Sequence, residues 1–179
     1  MKGEPEAFNS LVERYQARVY NLALRMLRDP AAAEDVTQDA FLAAFRSIGK
    51  FRGGSFPAWL FRIATNLCHD VGRQARSGVP LSLEAMTVDL PSTPTREDSP
   101  EEHLLARETQ EEVHRGLQLL PKDQRLVVIM VDLQGWSYEE VAQLTRSALG
   151  TVKSRISRAR DKLKEYLVSQ EQSPRKSRL

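Results

Sequence analysis

Cysteine is nearly missing: Cys68 is the single one in 179 residues, which excludes an internal disulfide framework. Histidine is scarce too, at three, and no Cys/His cluster has the spacing of a structural zinc site. No apolar run approaches the roughly 20 residues of a membrane span, and the opening MKGEPEAFNS lacks the apolar stretch of a signal peptide. The expectation is a soluble protein of a reducing cytoplasm, neither inserted in a membrane nor dependent on a cofactor. A carboxylate cluster, a Ser/His pair and metal-ligand spacing are also wanting, which argues against an enzyme such as a nuclease. There is no internal repeat.

Net charge is only +2, but it is unevenly spread. Residues 1–76 carry 11 basic and 8 acidic side chains, residues 77–102 carry 1 and 6, and residues 103–179 carry 14 and 10. Two basic ends flank an acidic break. That break, SGVPLSLEAMTVDLPSTPTREDSPEE, holds four prolines and has the composition of a flexible linker.

On either side the apolar residues recur at helical spacing. Phe8, Leu11, Val12, Tyr15, Val19, Leu22, Ala23, Met26 and Leu27 define a first helix, ended at RDP. Pro30 starts a second, with Ala33, Val36, Ala40, Phe41, Ala44, Phe45 and Ile48 as its inner stripe and Glu34, Asp35, Gln38 and Asp39 off it. GKFRGGSF is a mobile loop with two aromatics and two cations. Pro57 opens a third helix, buried through Trp59, Leu60, Ile63, Ala64, Leu67 and Val71. Beyond the linker, Leu104, Leu105, Thr109, Val113 and Leu117 predict a helix up to Pro121, and an apolar helix spans about Lys122 to Leu133.

WSYEEVAQLTRSALGTVKSRISRAR is the most informative stretch. Ser137 with Glu140 forms a capping box for a short helix, Tyr138 to Leu144. After a turn a second helix begins near Gly150, the pattern of a helix-turn-helix. On a helical wheel Val152, Ile156, Ala159 and Leu163 fall within about 60° and face a core. Opposite lie Ser154, Ser157, Arg158 and Asp161, with Lys153, Arg160 and Lys164 on one shoulder and Arg155 and Lys162 on the other. Cations on both shoulders suit phosphates on either side of a major groove, and small hydroxyls allow close approach to base edges. A solvated charged helix is the bland alternative; the capped partner helix favours DNA binding.

AEDVTQDAFLAAF, KFRGGSFPAWLFRIATN and LQGWSYEEVAQLTRSALGTVKSRISRAR together resemble bacterial RNA polymerase sigma factors of the extracytoplasmic function (ECF) class. The resemblance covers about residues 5–76 and 103–168. It implies an all-α fold of two small helical domains joined by a flexible acidic Pro-rich linker, the second ending in the helix-turn-helix. In family terms, 1–76 is the region 2 domain, 77–102 the linker, 103–168 the region 4 domain and 169–179 a disordered tail.

The same resemblance assigns roles. Asp35, Gln38 and Asp39 match the family's docking site on the β′ clamp of core RNA polymerase, whose β subunit is a further partner. In the −10 element, Phe51, Arg52, Phe56, Asn66, Asp70, Arg73 and Arg76 match positions that read melted DNA. Stacking on Phe51 or Phe56 is worth about 1–3 kcal/mol per base, and the Asn66 amide offers donor and acceptor to a base edge. Phe56 is the better candidate for plain core packing, and Trp59 is assigned mainly to packing. In the −35 element, Lys153, Ser154, Arg155 and Arg158 are the first choices, with Arg160 and Lys162 as phosphate anchors and Thr151 at the helix start. Cys68 and His69 are bystanders.

The implied function is promoter-specific initiation with core polymerase, under control of an anti-sigma partner. The sequence departs from the family at the turn, where Arg146 stands in place of a glycine and must adopt a positive φ or rearrange the turn. A stand-alone helix-turn-helix regulator accounts equally well for residues 137–164, but not for the FRGGSF loop.

Overall fold

A computed structural model of the chain describes residues 5–74 and 100–172, with side chains at 6–74 and 109–170. Arg76, residues 77–99 of the linker, the side chains of Leu104 and Leu105, and tail residues 173–179 lie outside the described residues. Among the described residues every regular element is helical.

Helix α1 (Pro5–Leu27) stops where Arg28 turns to φ 62° and donates its N–H to the Leu24 carbonyl at 2.8 Å. Asp29 then caps helix α2 (Pro30–Ser47) by accepting from the Ala32 N–H at 3.1 Å, with Pro30 in the first turn. A single 3-10 turn (Ile48–Lys50) leads into a loop and helix α3 (Phe56–Gln74). Val19, Leu22, Ala33, Ala40, Ala44, Leu60 and Ala64 are wholly buried between these three helices. The alanines on α2 let its neighbours approach closely.

The second half comprises α4 (Pro100–Gln118), α5 (Lys122–Val128), α6 (Tyr138–Thr145) and α7 (Leu149–Gln172). Its periodicity predicts one α-helix to Leu133, but Ile129–Leu133 winds as a π-turn. Just beyond it the Trp136 N–H reaches back to the Met130 carbonyl at 2.9 Å, and Gly135, at φ 71°, donates to Val131 at 3.2 Å, which closes the helix. Helix α7 also outruns the expected boundary at 168, so residues 169–172 are helix rather than tail. Its end is held to α4, where a Cβ on buried Gly116 would lie 2.9 Å from the Tyr166 ring, and the Tyr166 hydroxyl donates to Glu112 at 3.0 Å.

The two halves are not separate: one apolar cluster runs through both. Phe61 of α3 meets Trp136 at 5.0 Å between ring centroids, and the Arg18 guanidinium lies over both rings. Arg18 donates to the Gln134 carbonyl at 3.3 Å while the Gln134 amide donates to the Arg18 carbonyl at 3.0 Å. Further along α1, Gln118 donates to the Arg25 carbonyl at 3.0 Å and Arg125 to Met26 at 2.8 Å. The seam is imperfect, however. The Asn21, Gln124 and Gln134 side-chain oxygens, His69 Nε2 and Trp136 Nε1 are buried and lack a hydrogen-bond partner, each a cost of about 1–3 kcal/mol.

Both described histidines face cations of the opposite half. Burial, then Lys122, pushes the His69 pKa down, with Arg73 adding to the effect and Asp123 and Asp70 opposing it. Burial, then Arg25 and Arg28, does the same to His114. Both imidazoles bind a proton less readily folded than unfolded, so acidification favours unfolding. Stability should be retained above the ordinary histidine value of about 6.5 and fall as pH drops through it toward the lower folded-state values. Thermal melts between about pH 8 and 5 check this: His69→Gln with His114→Gln should flatten the acid limb.

Candidate nucleic-acid interface

The helix-turn-helix is built from its caps outward. Ser137 Oγ accepts from the Glu140 N–H at 3.2 Å while the Glu140 carboxylate accepts from the Ser137 N–H at 2.8 Å, completing the expected capping box. At the other end of α6, Arg146 takes the left-handed alternative of the two the sequence allowed, φ 51° and ψ 41°. Its N–H and that of Ser147 close the helix on Gln143 and Ala142. The motif therefore keeps its tight turn without glycine, at a conformational cost of about 1–2 kcal/mol.

Val152, Ile156 and Ala159 of α7 are buried as the wheel requires. The basic residues divide into two groups. Arg155 is held by Asp123 at 2.9 Å and donates to Ser147 Oγ at 3.2 Å. Arg160 forks onto both oxygens of Asp132 at 2.5 and 3.1 Å, and this pairing, partly opposed by burial, raises its pKa. These two guanidiniums tie α7 to α5 and the π-turn. Thr151, Lys153, Ser157, Arg158 and Lys162 are exposed, and Ser154 Oγ donates to the Thr151 carbonyl at 2.9 Å.

In the first half, Gly53 and Gly54 sit at φ 90° and 94°, which the turn in the FRGGSF loop requires. Ser55 starts α3, accepting from the Ala58 and Trp59 N–H groups. Phe51 is half-buried and packs on Trp59 at 5.2 Å and Phe56 at 6.0 Å, while Phe56 also reaches Tyr15 at 6.0 Å. The two loop phenylalanines thus form one aromatic shelf with Trp59. Arg52 is exposed beside it. Asn66 and Asp70 are exposed, seven and eleven residues past Trp59, on the same helix face. Asp70 pairs with Arg73 three residues on, so these two charges largely cancel locally. Buried Cys68, its thiol pushed up to about 12 by burial, stays protonated and takes no part.

Helix α2 presents Asp35, Gln38 and Asp39 to solvent as expected. It presents more than that. Leu42, two turns from Asp35, is 49% exposed, and Phe45, read from the sequence as inner stripe, is 46% exposed with only its edge contact to Phe8 at 5.1 Å. Phe45 lies at the margin of the stripe, where α1 covers half its ring. Leu42 was missed because an isolated apolar residue off the stripe is unremarkable in a sequence. Its register with the acidic residues was the available signal.

The family described as Sigma-70 region 2 matches residues 11–78, and Sigma-70, region 4 matches residues 110–163. The RNA polymerase sigma-H factor of Pseudomonas aeruginosa is 36% identical over 171 residues, 93% of this chain and 89% of that protein. The ECF RNA polymerase sigma-E factor of Escherichia coli is 38% identical over 165 residues, 89% of this chain and 86% of that protein. With the ECF RNA polymerase sigma factor SigE of Mycolicibacterium smegmatis, identity is 35% over 90% of this chain, which spans only 62% of that relative's length. Among solved structures, CnrH in complex with the cytosolic domain of CnrY aligns at TM-score 0.71 and 27% identity over 93% of this chain and 91% of that one. The sigma factor RpoE in complex with the anti-sigma factor NepR from Bartonella quintana aligns at 0.69 and 28% identity, over 89% and 96%.

One local prediction follows from the turn. Arg146→Gly removes the left-handed strain but loosens the unfolded chain, and should raise unfolding free energy by up to about 1 kcal/mol, read by urea denaturation.

Proposed function

The chain belongs to the sigma-70 family of RNA polymerase sigma factors, in its extracytoplasmic function class, and from that premise we propose that it binds core RNA polymerase and directs promoter-specific initiation. The −35 element is read as duplex and the −10 element as melted single strand. The observation that carries this reading is the pairing of two chemically different nucleic-acid surfaces in one chain. One is a helix with free cations and hydroxyls, Lys153, Ser157 and Arg158, suited to a major groove. The other is an aromatic shelf on a glycine turn with exposed Asn66 beside it, suited to unstacked bases.

In the duplex complex Lys153, Ser154 and Arg158 contact base edges, and Thr151 and Lys162 contact phosphates. Arg155 and Arg160 serve first as positioning residues, because carboxylates already engage them. They reach DNA with their remaining N–H donors. In the melted strand Phe51, supported by Phe56, stacks a base whose edge partner is Asn66. Arg52, Arg73 and Arg76 attract phosphate, and Asp70 orients Arg73. Stacking offsets the unstacking of the duplex, and no covalent step is required of this chain. Polymerase docks on the α2 face, where Asp35, Gln38 and Asp39 provide charge and Leu42 an apolar contact. Since CnrH was solved in complex with the cytosolic domain of CnrY and RpoE in complex with the anti-sigma factor NepR, we extend an anti-sigma partner to this chain as well.

Run-off transcription from a promoter library, with core polymerase and with or without this protein, tests the reading. Sequence-selective initiation that depends on the protein is expected; no stimulation, together with tight duplex binding by the protein alone, would overturn it in favour of a stand-alone regulator. A second outcome concerns α2. With Leu42 49% exposed, burying the rest at the clamp is worth about 1 kcal/mol, so Leu42→Ala should weaken core binding by about fivefold in a competition assay, with only a small shift in the thermal midpoint.

A further inference from the structure

A carboxylate beside a surface suited to phosphates needs a reason, because it repels the ligand. Helix α7 has two of them against it. Asp123, at the start of α5, stands 2.9 Å from Arg155, and Asp132, in the π-turn, forks onto Arg160 at 2.5 and 3.1 Å. Both come from other elements, 32 and 28 residues back in the chain. Stability alone accounts for them poorly. Asp123 is 58% and Arg160 51% exposed, and ion pairs so open to water add little to a fold. The buried Val152, Ile156 and Ala159 already seat α7.

The two pairs follow a pattern along the helix. Lys153 and Arg160 are seven residues apart on one shoulder, and Arg155 and Lys162 are seven apart on the other, two turns or about 10 Å in each case. On each shoulder a carboxylate takes the arginine, and the lysine stays exposed. Lys164, one turn past Arg160, is exposed too. Arginine grips phosphate with a two-pronged fork, whereas lysine offers a point charge. The side chains withdrawn are therefore the two shoulder residues that would bind any phosphate most firmly. Arg158, between the shoulders, stays exposed for base edges.

A guanidinium held by a carboxylate presents little net charge and displaces few counterions from DNA. It can still donate to a phosphate that arrives at the right place. Arg155 is fixed in direction for this by its second bond, to Ser147 Oγ at 3.2 Å. Only a correctly seated helix brings a phosphate to such fixed donors; a loose encounter with arbitrary sequence gains nothing from them.

We propose that Asp123 and Asp132 are specificity-determining residues of the −35 reader, holding Arg155 and Arg160 out of sequence-independent phosphate binding and letting them engage DNA only when the recognition helix is seated on its element. This rests on the reading of α7 given above.

The test uses the full chain with the near-isosteric changes Asp123→Asn and Asp132→Asn. Asp161→Asn is the charge control, because Asp161 is exposed on α7 and forms no ion pair among the described residues. Affinity for a random-sequence duplex of about 30 base pairs is followed from about 50 to 200 mM salt. Each of the first two variants should steepen the slope of log affinity against log salt by about 0.9, one added phosphate contact, so that affinity falls about 3.5-fold further across that range. The control should change the slope by less than half as much. Pairing Asp132→Asn with Arg160→Gln, or Asp123→Asn with Arg155→Gln, should restore the original slope, since the released cation is gone. With core polymerase, run-off from a library-selected promoter against the same promoter with a scrambled −35 element should show discrimination reduced by about threefold or more in each aspartate variant.

A lowered thermal midpoint with an unchanged slope would make the carboxylates purely structural and overturn the proposal. So would an equal effect in the control, no restoration in the paired variants, or undiminished discrimination. If the unaltered chain initiates selectively and the aspartate variants behave like it, only this proposal fails; if the unaltered chain does not initiate, the promoter reading fails and the −35 role falls with it.

Discussion

The guanidinium of Arg125 gathers two helix ends that would otherwise repel. Helices α1 and α4 both finish at the seam, and each C-terminus carries a partial negative charge of about half an electron on carbonyls without intrahelical partners. Arg125 donates to Leu117 at 2.9 Å and Gln118 at 2.9 Å on α4, to Leu120 at 3.3 Å just past its end, and to Met26 at 2.8 Å on α1. One fixed cation thereby satisfies acceptors from both halves. Gln118, itself positioned at the end of α4, takes the neighbouring Arg25 carbonyl. The geometry of α5, and through it the helix-turn-helix that follows, is set by this junction. Lysine could not substitute, since a point charge lacks the fork that reaches several carbonyls in different directions.

The recognition helix shows a comparable division of labour. A run of basic residues looks uniform in a sequence, yet tertiary carboxylates withdraw two of its members. Asp123 on α5 takes Arg155 and Asp132 on the π-turn takes Arg160. The ion pairs are partly exposed and individually weak in water. Their importance is directional, because each aligns α7 against the element that supports it. Of the exposed cations, Arg158 lies opposite the buried Val152, Ile156 and Ala159 stripe, and Lys153 and Lys162 lie on its two shoulders. The same carboxylates that orient the helix also temper its positive field.

Much of the candidate site was legible along the chain because it depends on near neighbours. The capping box joins residues three apart, the RDP break joins Arg28, Asp29 and Pro30, and the glycine turn at 53 and 54 is a local demand on φ. Arg146 was legible as a conflict, although only the fold showed that the turn is kept and the arginine bears the strain. Leu42 and Phe45 were not, because periodicity ranks residues by angle and says little about where a neighbouring helix ceases to cover the surface. The π-turn was hidden as well, because apolar periodicity marks a helix without fixing its hydrogen-bond register.

What the sequence by itself determined is therefore the set of helices, their buried stripes, their caps and the residue types on which the two proposed nucleic-acid surfaces rest, all of which follow from spacings of one to seven residues. What only the tertiary structure decided is which charges remain available and that the two halves close on each other. Arg18 meets Gln134 across 116 positions, Arg125 meets Met26 across 99 and Gln118 meets Arg25 across 93. Such pairings carry no periodic signature, because an arginine or glutamine bonding a distant backbone carbonyl needs no particular residue type at its partner position.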